Sequence, residues 1–159
     1  MGAGKSAVGR QLARMLHVDF VDSDDEIELR TGVDIPFIFE KEGEEGFRKR
    51  EVNVIDDLSQ KDGIVLATGG GVIVSPQNRN HLGARGFVIY LHTSVDQQLS
   101  RTRKGRERPL LDKDDPRAVL EGLMAEREPL YREIADLTVE TDGRKVRAVA
   151  NEILDKLNK

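Results

Sequence analysis

The first residues of the chain combine glycine, lysine and serine in the order found in phosphate-binding loops. The segment Met1-Gly2-Ala3-Gly4-Lys5-Ser6 ends in a Gly-Lys-Ser triplet. Glycine lets backbone N–H groups turn toward phosphate oxygens, the lysine reaches the outer phosphates, and the serine hydroxyl ligates Mg²⁺. The complete motif has an earlier glycine and a strand before it, so we expect this chain to begin inside the loop. A chance triplet at a helix start explains these residues equally well when they are taken alone.

Two carboxylates follow the short strand predicted at Phe20-Val21. Ligands collect where the strands of open α/β sheets end, so Asp22 and Asp24 could hold Mg²⁺ and accept a substrate hydroxyl. The alternative is an acidic first turn of a helix, which Asp25 and Glu26 also suit. Without other evidence, the pattern favours that alternative.

Three consecutive glycines, Gly69, Gly70 and Gly71, follow the apolar run at 64–67. Glycine costs conformational entropy on folding and contributes no side-chain packing. A glycine triplet after a buried strand therefore indicates a place where the backbone approaches a ligand closely and presents its N–H groups. A flexible turn is the weaker alternative.

Arginines are concentrated in one stretch of an otherwise acidic chain. The members of this group are Arg101, Arg103, Arg106 and Arg108. A loop at about 104–115 with several arginines suits a lid over a transferring phosphate, because guanidinium stabilises charge on phosphoryl oxygens. The alternative is a solvated charge run. Arg48 and Arg127 lie on predicted helices among mixed charges, and they become interesting only if the substrate is an anion.

Composition narrows the class of protein. The chain has 159 residues, a net charge of −4 and no cysteine. This length suits one domain spanning residues 1–159, and the acidic balance argues against a general nucleic-acid or membrane surface. The absence of cysteine excludes disulfides and zinc–thiolate sites and suits the cytoplasm. No apolar stretch in the sequence is long enough to span a bilayer.

The elements that must position these residues alternate along the chain. The first helices are predicted at Lys5–Leu16 and from Ser23, as N-cap, to Gly32. A short helical piece begins at Asp34, and a longer helix follows it and ends at the turn 61–63. Further helices are predicted from Ser75 to Gly83 and starting at Ser94, Pro116 and Val146. Strands are predicted at Phe20-Val21, 64–67, 87–91 and 137–140. This alternation predicts an α/β fold, with a parallel sheet covered by helices on both sides.

Six segments in order resemble the shikimate kinase family: MGAGKS, FVDSDDEIE, EEGFRKRE, VLATGGGV, RPLLD and REPLYREIAD. The resemblance implies a P-loop kinase with a five-stranded parallel sheet in the order 2-3-1-4-5. The first, central strand of that sheet is expected to be missing from this chain. The strands at 64–67 and 87–91 would then have no shared neighbour.

The resemblance also implies roles on the nucleotide side of the site. Lys5 would hold the β- and γ-phosphates of ATP, and Ser6 would ligate Mg²⁺ with support from Asp22. The rest of the phosphate loop would comprise Gly2, Ala3, Gly4 and Ala7. The family usually has Thr or Ser where Ala7 stands, so one hydroxyl contact worth about 1 kcal/mol should be lost.

On the acceptor side, the resemblance implies that Asp24 binds shikimate hydroxyls and takes the proton of the attacking 3-hydroxyl. Arg48 and Arg127 would grip the shikimate carboxylate, and the three glycines would line the ring. The remaining implied contacts are Arg108 as the lid arginine and, more weakly, Arg101 and Arg144 near the adenine.

The predicted activity is phosphorylation of shikimate by ATP with Mg²⁺, in aromatic amino-acid biosynthesis, by a cytoplasmic monomer without nucleic-acid or membrane partners. One alternative is another small-molecule kinase of this fold, such as a gluconate kinase. The other is a fragment that binds shikimate or nucleotide with impaired catalysis, because half a phosphate loop need not cradle ATP.

Overall fold

The computed structural model describes residues 4–104 and 115–158, with residues 101–104 as backbone only. Helices and strands alternate along the chain, as the sequence predicts. The helices are α1 (Lys5–Leu16), α2 (Ser23–Thr31), α3 (Ile35–Leu58), α4 (Pro76–Arg85), α5 (Val95–Lys104), α6 (Pro116–Ile134) and α7 (Val146–Leu157). The strands are β1 (Asp19–Asp22), β2 (Ile64–Ala67), β3 (Ile89–His92) and β4 (Leu137–Glu140), and a 3₁₀ helix spans Gly70–Val74.

The four strands form two parallel pairs. β1 pairs with β2, with Asp19 opposite Ile64 and Asp22 opposite Ala67. β3 pairs with β4, with Ile89 opposite Leu137. In the described part of the chain β2 and β3 share no neighbouring strand. The alternation of elements predicted the parallel pairing, and the separation of β2 from β3 was expected from the resemblance alone.

Helix α1 connects the two sheets. It contacts β1 and β2 and also packs against α7. Val8 and Leu12, one helical turn apart, are buried in a core shared with Val139 of β4. Gly9 lets the helix approach β1 closely, because a Cβ there would lie 2.6 Å from Cε1 of Phe20. The position of α1 therefore fixes where its first turn, from Gly4, lies relative to β1.

A second core holds α2 against α3, and it includes Ile27, Phe47 and Val54. Helix α3 is kinked at Gly43, whose φ of 72° and ψ of −179° are strained for any residue with a side chain. The two helical pieces predicted for this region are thus the two arms of one kinked helix. The second arm carries Arg48.

An apolar groove of about 410 Å³ lies between the two sheets. Its lining includes Val8 and Leu12 of α1, Val65 of β2, and Ile89 and Leu91 of β3. The sequence predicts β2 to be buried on both faces, yet of its four residues only Ala67 is buried. All four residues of β2 line the groove, and the first three are only partly covered.

Several predicted boundaries are wrong by a few residues. The N-cap of α2 is Asp22 rather than Ser23, because the Asp22 side chain accepts hydrogen bonds from the backbone of Asp24 and Asp25. Helix α4 continues through Gly83 and ends before Gly86. The third strand spans Ile89–His92 rather than 87–91, and Phe87 is 54 % exposed. Within residues 4–104 and 115–158, no helix combines the length and apolar character needed to cross a membrane.

Candidate active site

The N-terminus of α1 presents an anion-binding turn. Gly4 adopts a left-handed conformation with φ of 74°, and its carbonyl accepts the first helical hydrogen bond, from Val8 N–H at 3.0 Å. The backbone N–H groups of Lys5, Ser6 and Ala7 precede that bond, and the helix dipole adds partial positive charge. Gly2 and Ala3 lie outside the described residues.

Ser6 and Asp22 form a hydroxyl–carboxylate pair beside this turn. Ser6 Oγ donates to Asp22 Oδ2 at 2.6 Å. The other oxygen, Oδ1, accepts from the backbone N–H of Asp24 at 2.8 Å and caps α2. Asp22 therefore joins α1 to α2. One carboxylate can both cap a helix and lie in a metal site, so the two interpretations of Asp22 do not exclude each other.

These oxygens fit Mg²⁺. The ion prefers hard oxygen ligands and usually takes one or two from the protein, with the rest from water and substrate phosphates. Ser6 and Asp22 supply such a pair next to a phosphate-binding turn. Among the described residues no group of three or more His, Cys, Asp or Glu side chains could hold a metal by itself.

Asp24 lies against the glycine loop that follows β2. Because Asp22 is opposite Ala67 in the parallel register, the residues after both strands emerge at the same edge of the sheet. A Cβ at Gly69 would lie 3.0 Å from Asp24 Oδ1. The Asp24 carboxylate thus sits directly on the backbone of the glycine loop.

Arg48 occupies the space beside the last glycine of this loop. A Cβ at Gly71 would overlap its guanidinium group. The guanidinium is oriented by Glu51, whose Oε1 accepts from Nη1 of Arg48 at 2.9 Å, and more weakly by the exposed Glu44 at 3.4 Å. The guanidinium is thus held by α3 itself through Nη1, while both of its terminal nitrogens lie against the loop at Gly71.

Arg127 approaches the same loop from α6, which packs against the 3₁₀ helix. It is only 6 % exposed, and its Nε has no hydrogen-bond partner among the described residues. One turn later on α6, the Tyr131 hydroxyl donates to the Gly70 carbonyl at 2.6 Å. A buried guanidinium with an unused donor is expected to bind an anion.

Glu51 is the buried charge around which these groups gather. It is 1 % exposed, and burial raises its pKa above the ordinary range. Arg48 and, more weakly, Arg127 act in the opposite direction, while the Asp24 carboxylate raises the pKa further. The two arginines and the two carboxylates therefore form one electrostatic cluster.

The remaining predicted residues are not all brought into this cluster. Arg144 lies between β4 and α7, where it donates to the Glu140 carbonyl at 2.9 Å and pairs with Glu152 at 2.7 Å. The side chain of Arg101 lies outside the described part of α5. Arg108 and most of the predicted lid also lie outside the described residues.

Two residues of the cluster, Glu51 and Tyr131, escaped sequence analysis. Glu51 stands three residues after Arg48, a spacing that brings side chains together on a helix. Tyr131 stands four residues after Arg127, which has the same effect. Neither spacing predicts a buried contact by itself, because many side chains three or four residues apart on a helix are solvent-exposed.

A parallel α/β fold, a phosphate-binding turn at the start of a helix, and an adjoining cleft lined by two arginines and a carboxylate define a P-loop phosphotransferase for a small anionic acceptor. The shikimate kinase family model matches residues 1–158. The chain belongs to the shikimate kinase family.

Relatives and solved structures agree with this assignment. A shikimate kinase from Shewanella oneidensis is 60 % identical over 157 residues, which cover 99 % of this chain and 92 % of that protein. The structure of a shikimate kinase from Acinetobacter baumannii in complex with shikimate is 50 % identical, with a TM-score of 0.97 over 99 % of this chain and 88 % of that one. One from Aquifex aeolicus is 36 % identical, with a TM-score of 0.83 over 99 % and 91 %.

The predicted activity is therefore confirmed: the protein is a kinase that phosphorylates shikimate with ATP as co-substrate and Mg²⁺ as the metal. The reaction belongs to aromatic amino-acid biosynthesis. Neither the gluconate kinase alternative nor the impaired fragment finds support in these comparisons.

Proposed function

We propose that the cleft between α1, α2, α3, α6 and the glycine loop is the place where the 3-hydroxyl of shikimate is phosphorylated. One observation carries the proposal: Asp24, Arg48 and Tyr131 all contact the loop 69–71, and Arg127 lies beside Tyr131. A cyclic polyhydroxy acid offers one carboxylate and several hydroxyl groups, and this cluster offers the complementary charges.

Arg48 and Arg127 bind the carboxylate of shikimate. Guanidinium groups pair with carboxylates through two parallel hydrogen bonds, which fix the orientation as well as the affinity. Arg48 is held by Glu51 at 2.9 Å, and Arg127 has an Nε donor without a protein partner in the described chain. The pair therefore fixes the substrate by its carboxylate and leaves the ring hydroxyl groups to other contacts.

Asp24 accepts the proton of the 3-hydroxyl. As that oxygen bonds to the γ-phosphorus of ATP, the bond from phosphorus to the β–γ bridging oxygen breaks and ADP leaves. The short distance between Asp24 and the glycine loop supports this role, because the loop restricts where the ring can lie. Proton transfer by a positioned carboxylate typically contributes a factor of about 10² to 10⁴.

Lys5 and the first turn of α1 hold the ATP phosphates, and Gly69, Gly70 and Gly71 line the shikimate ring. Ser6 and Asp22 hold Mg²⁺, which when bound neutralises charge on the phosphate oxygens. Arg108 acts from a lid at about 104–115 on the same phosphates. Arg101 and Arg144 lie nearer the adenine, although the contacts of Arg144 described above suit a structural role equally well.

Substitution of the two arginines tests the acceptor side. Arg48→Ala and Arg127→Ala should each weaken shikimate binding about ten- to hundred-fold, the value of one charge-assisted contact, with ATP affinity unchanged. Arg30→Ala is the matched control, because Arg30 pairs with Glu26 and Asp57 on the surface. Calorimetric binding of shikimate at normal affinity by either variant would contradict the proposed clamp.

Substitution of Lys5 tests the nucleotide side. Lys5→Met should leave the melting temperature unchanged and lower kcat more than it raises the KM for ATP, because the lysine acts chiefly on charge that develops during transfer. Turnover within a few-fold of the parent would exclude Lys5 from catalysis.

We propose further that the groove between β2 and β3 is filled by a short apolar strand parallel to both. Two parallel edges facing each other across an apolar groove of about 410 Å³ support this arrangement. We also propose a single domain that works as a cytoplasmic monomer. Light scattering after size-exclusion chromatography would test the monomer, and a concentration-dependent mass would contradict it.

A further inference from the structure

The hydroxyl of Tyr131 links α6 to the glycine loop. It donates to the Gly70 carbonyl at 2.6 Å, so the only proton of the phenol is committed to the loop backbone. The Arg127 guanidinium, one helical turn earlier on α6, partly offsets the rise in the pKa of Tyr131 that burial causes. The phenol oxygen is therefore bonded to a backbone carbonyl and is influenced by a buried cation.

The ring of Tyr131 is fixed as firmly as its hydroxyl. It stacks on Tyr90 of β3, with ring centroids 4.8 Å apart and planes inclined by 25°. Stacked aromatic pairs favour one orientation over others. Because the ring cannot swing away, the hydroxyl sets the distance between α6 and Gly70.

The next residue of the loop extends this link to the opposite side of the cleft. Gly71 lies directly against the Arg48 guanidinium. A shift of Gly70 would carry Gly71 with it and change the space that Arg48 occupies. Arg48 on α3 and Arg127 on α6 are thus connected through Tyr131 and two loop residues.

We propose that Tyr131 is a positioning residue for the acceptor substrate, which holds the glycine loop at the distance from Arg127 that lets both arginines reach one carboxylate. This inference rests on the proposed function, in which Arg48 and Arg127 bind shikimate. Tyr131 itself need not touch the substrate. Its loss should therefore affect shikimate and leave the nucleotide unaffected.

Removal of the hydroxyl alone tests the proposal. Tyr131→Phe keeps the stacked ring, and we expect its Kd for shikimate to rise about three- to thirty-fold, since one buried hydrogen bond is lost and a carbonyl is left without its donor. The KM for ATP should stay within about two-fold. Tyr90→Phe is the matched control, because its hydroxyl faces Met124 and Glu128 rather than the loop, and it should bind shikimate normally.

A double-mutant cycle distinguishes positioning from a local effect. Measured as kcat/KM at low shikimate, Tyr131→Phe should cost much less in an Arg127→Ala background than in the parent. Equal costs in the two backgrounds, unchanged shikimate affinity in Tyr131→Phe, or equal losses for shikimate and ATP would each overturn the proposal. If Arg127→Ala itself bound shikimate normally, the proposed function would fail first, whereas a normal Tyr131→Phe beside a weak Arg127→Ala would reject this inference alone.

Discussion

Position 71 must be glycine because a neighbouring side chain leaves no room for a Cβ, and not because its backbone conformation demands glycine. A Cβ at this position would overlap the Arg48 guanidinium, which Glu51 holds in place through Nη1. Gly71→Ala should therefore displace Arg48 and weaken shikimate binding about ten- to hundred-fold, the loss expected when one charge-assisted contact is broken. Calorimetric titration with shikimate and, separately, with ATP would measure the effect, and only the first should change.

Gly83→Ala is the control for this substitution. Gly83 lies inside α4, and no atom would come within 4 Å of an added Cβ. Alanine is the better helix former, so this variant should bind shikimate normally and be neutral or slightly stabilised. Equal shikimate affinity in the two variants would show that Arg48 does not depend on the space at position 71.

Glu51 should make the stability of the protein depend on pH. Its pKa is raised in the folded state, chiefly by burial, so the folded protein holds the Glu51 proton more tightly than the unfolded chain does. The stabilisation is fully present below the unfolded pKa and is lost as pH rises through the folded pKa. Relative to Glu51→Gln, which stays neutral, the parent should therefore lose unfolding free energy as pH rises above the unfolded pKa of about 4.

Urea unfolding of the parent and of Glu51→Gln at a series of pH values would measure this difference. A difference that stays constant across the range would contradict the argument. A difference that grows in favour of the parent as pH rises would show that attraction to Arg48 outweighs the cost of burial.

Sequence alone singled out Asp24, Arg48 and the glycine triplet, but not the reason why these residues lie together. The glycine triplet was predicted to approach a ligand. In the structure two of its members must be glycine for another reason, because a side chain there would collide with Asp24 or Arg48. That reason depends on the register of β1 against β2, which no local pattern encodes. Glu51 was missed for the same reason, since only tertiary packing separates a buried helical charge from a solvated one.

At the scale of elements, Asp22 has two functions that can be separated. Its side chain caps α2 and also accepts from Ser6 at 2.6 Å. Asp34 caps α3 in the same way, accepting from the backbone of Phe37 at 2.9 Å, but contacts no phosphate-binding residue. Asp22→Ala and Asp34→Ala should each lose about 1 kcal/mol of stability, the usual cost of a lost N-cap.

The two variants should differ in their need for metal. The Mg²⁺ concentration for half-maximal activity should rise about ten- to hundred-fold in Asp22→Ala, the range found when groups around a metal are removed, and should stay unchanged in Asp34→Ala. Thermal unfolding and a Mg²⁺ titration of the kinase rate would measure both quantities. A similar Mg²⁺ requirement in the two variants would show that Asp22 acts only as a helix cap and does not support the metal.

Element boundaries were predicted less well than element types. Ser23 and Asp22 are both good N-caps, and only the observed hydrogen bonds select Asp22. Gly83 looked like a helix end, yet α4 continues to Arg85 because tertiary packing outweighs a cost of about 1 kcal/mol for one glycine. The kink at Gly43, in contrast, lies between the two helical pieces that the sequence predicted.

For the whole molecule, the groove between β2 and β3 should dominate stability. A strand placed there would bury about four or five apolar side chains, worth roughly 1.5–3 kcal/mol each, which is comparable to the total stability of a domain. We expect the protein of residues 1–159 to bind the dye 1-anilinonaphthalene-8-sulfonate and to melt with low cooperativity. An apolar extension of about five residues, fused ahead of Met1, should reduce dye binding and sharpen the transition.

A serine–glycine extension of equal length is the control. It has the same length but contributes no apolar area, so dye binding and the melting transition should stay as in the parent. Equal behaviour of the two extensions would contradict the proposed strand. A cooperative melt and full activity without any extension would show that the groove between β2 and β3 does not limit stability.

The strand alternation predicted the parallel pairs, and four strands were found within two residues of their observed ends. The division into two sheets was expected only through the resemblance, because spacing along a chain does not reveal which edges face each other. Burial was correspondingly overestimated for β2, whose Val65 faces the groove. Local pattern determines the type of an element, and its neighbours determine how much of it is covered.

The stacking of Tyr131 on Tyr90 has an optical consequence. The chain has no tryptophan and only these two tyrosines, so all of its phenol absorption and emission comes from one pair beside the acceptor cleft. At the tyrosine band, near-ultraviolet circular dichroism and intrinsic fluorescence therefore observe this one corner of the molecule, without a label. A shikimate titration followed at the tyrosine band would report the loop and Arg127 directly, and a distant unfolding event would leave the signal unchanged until it reached α6.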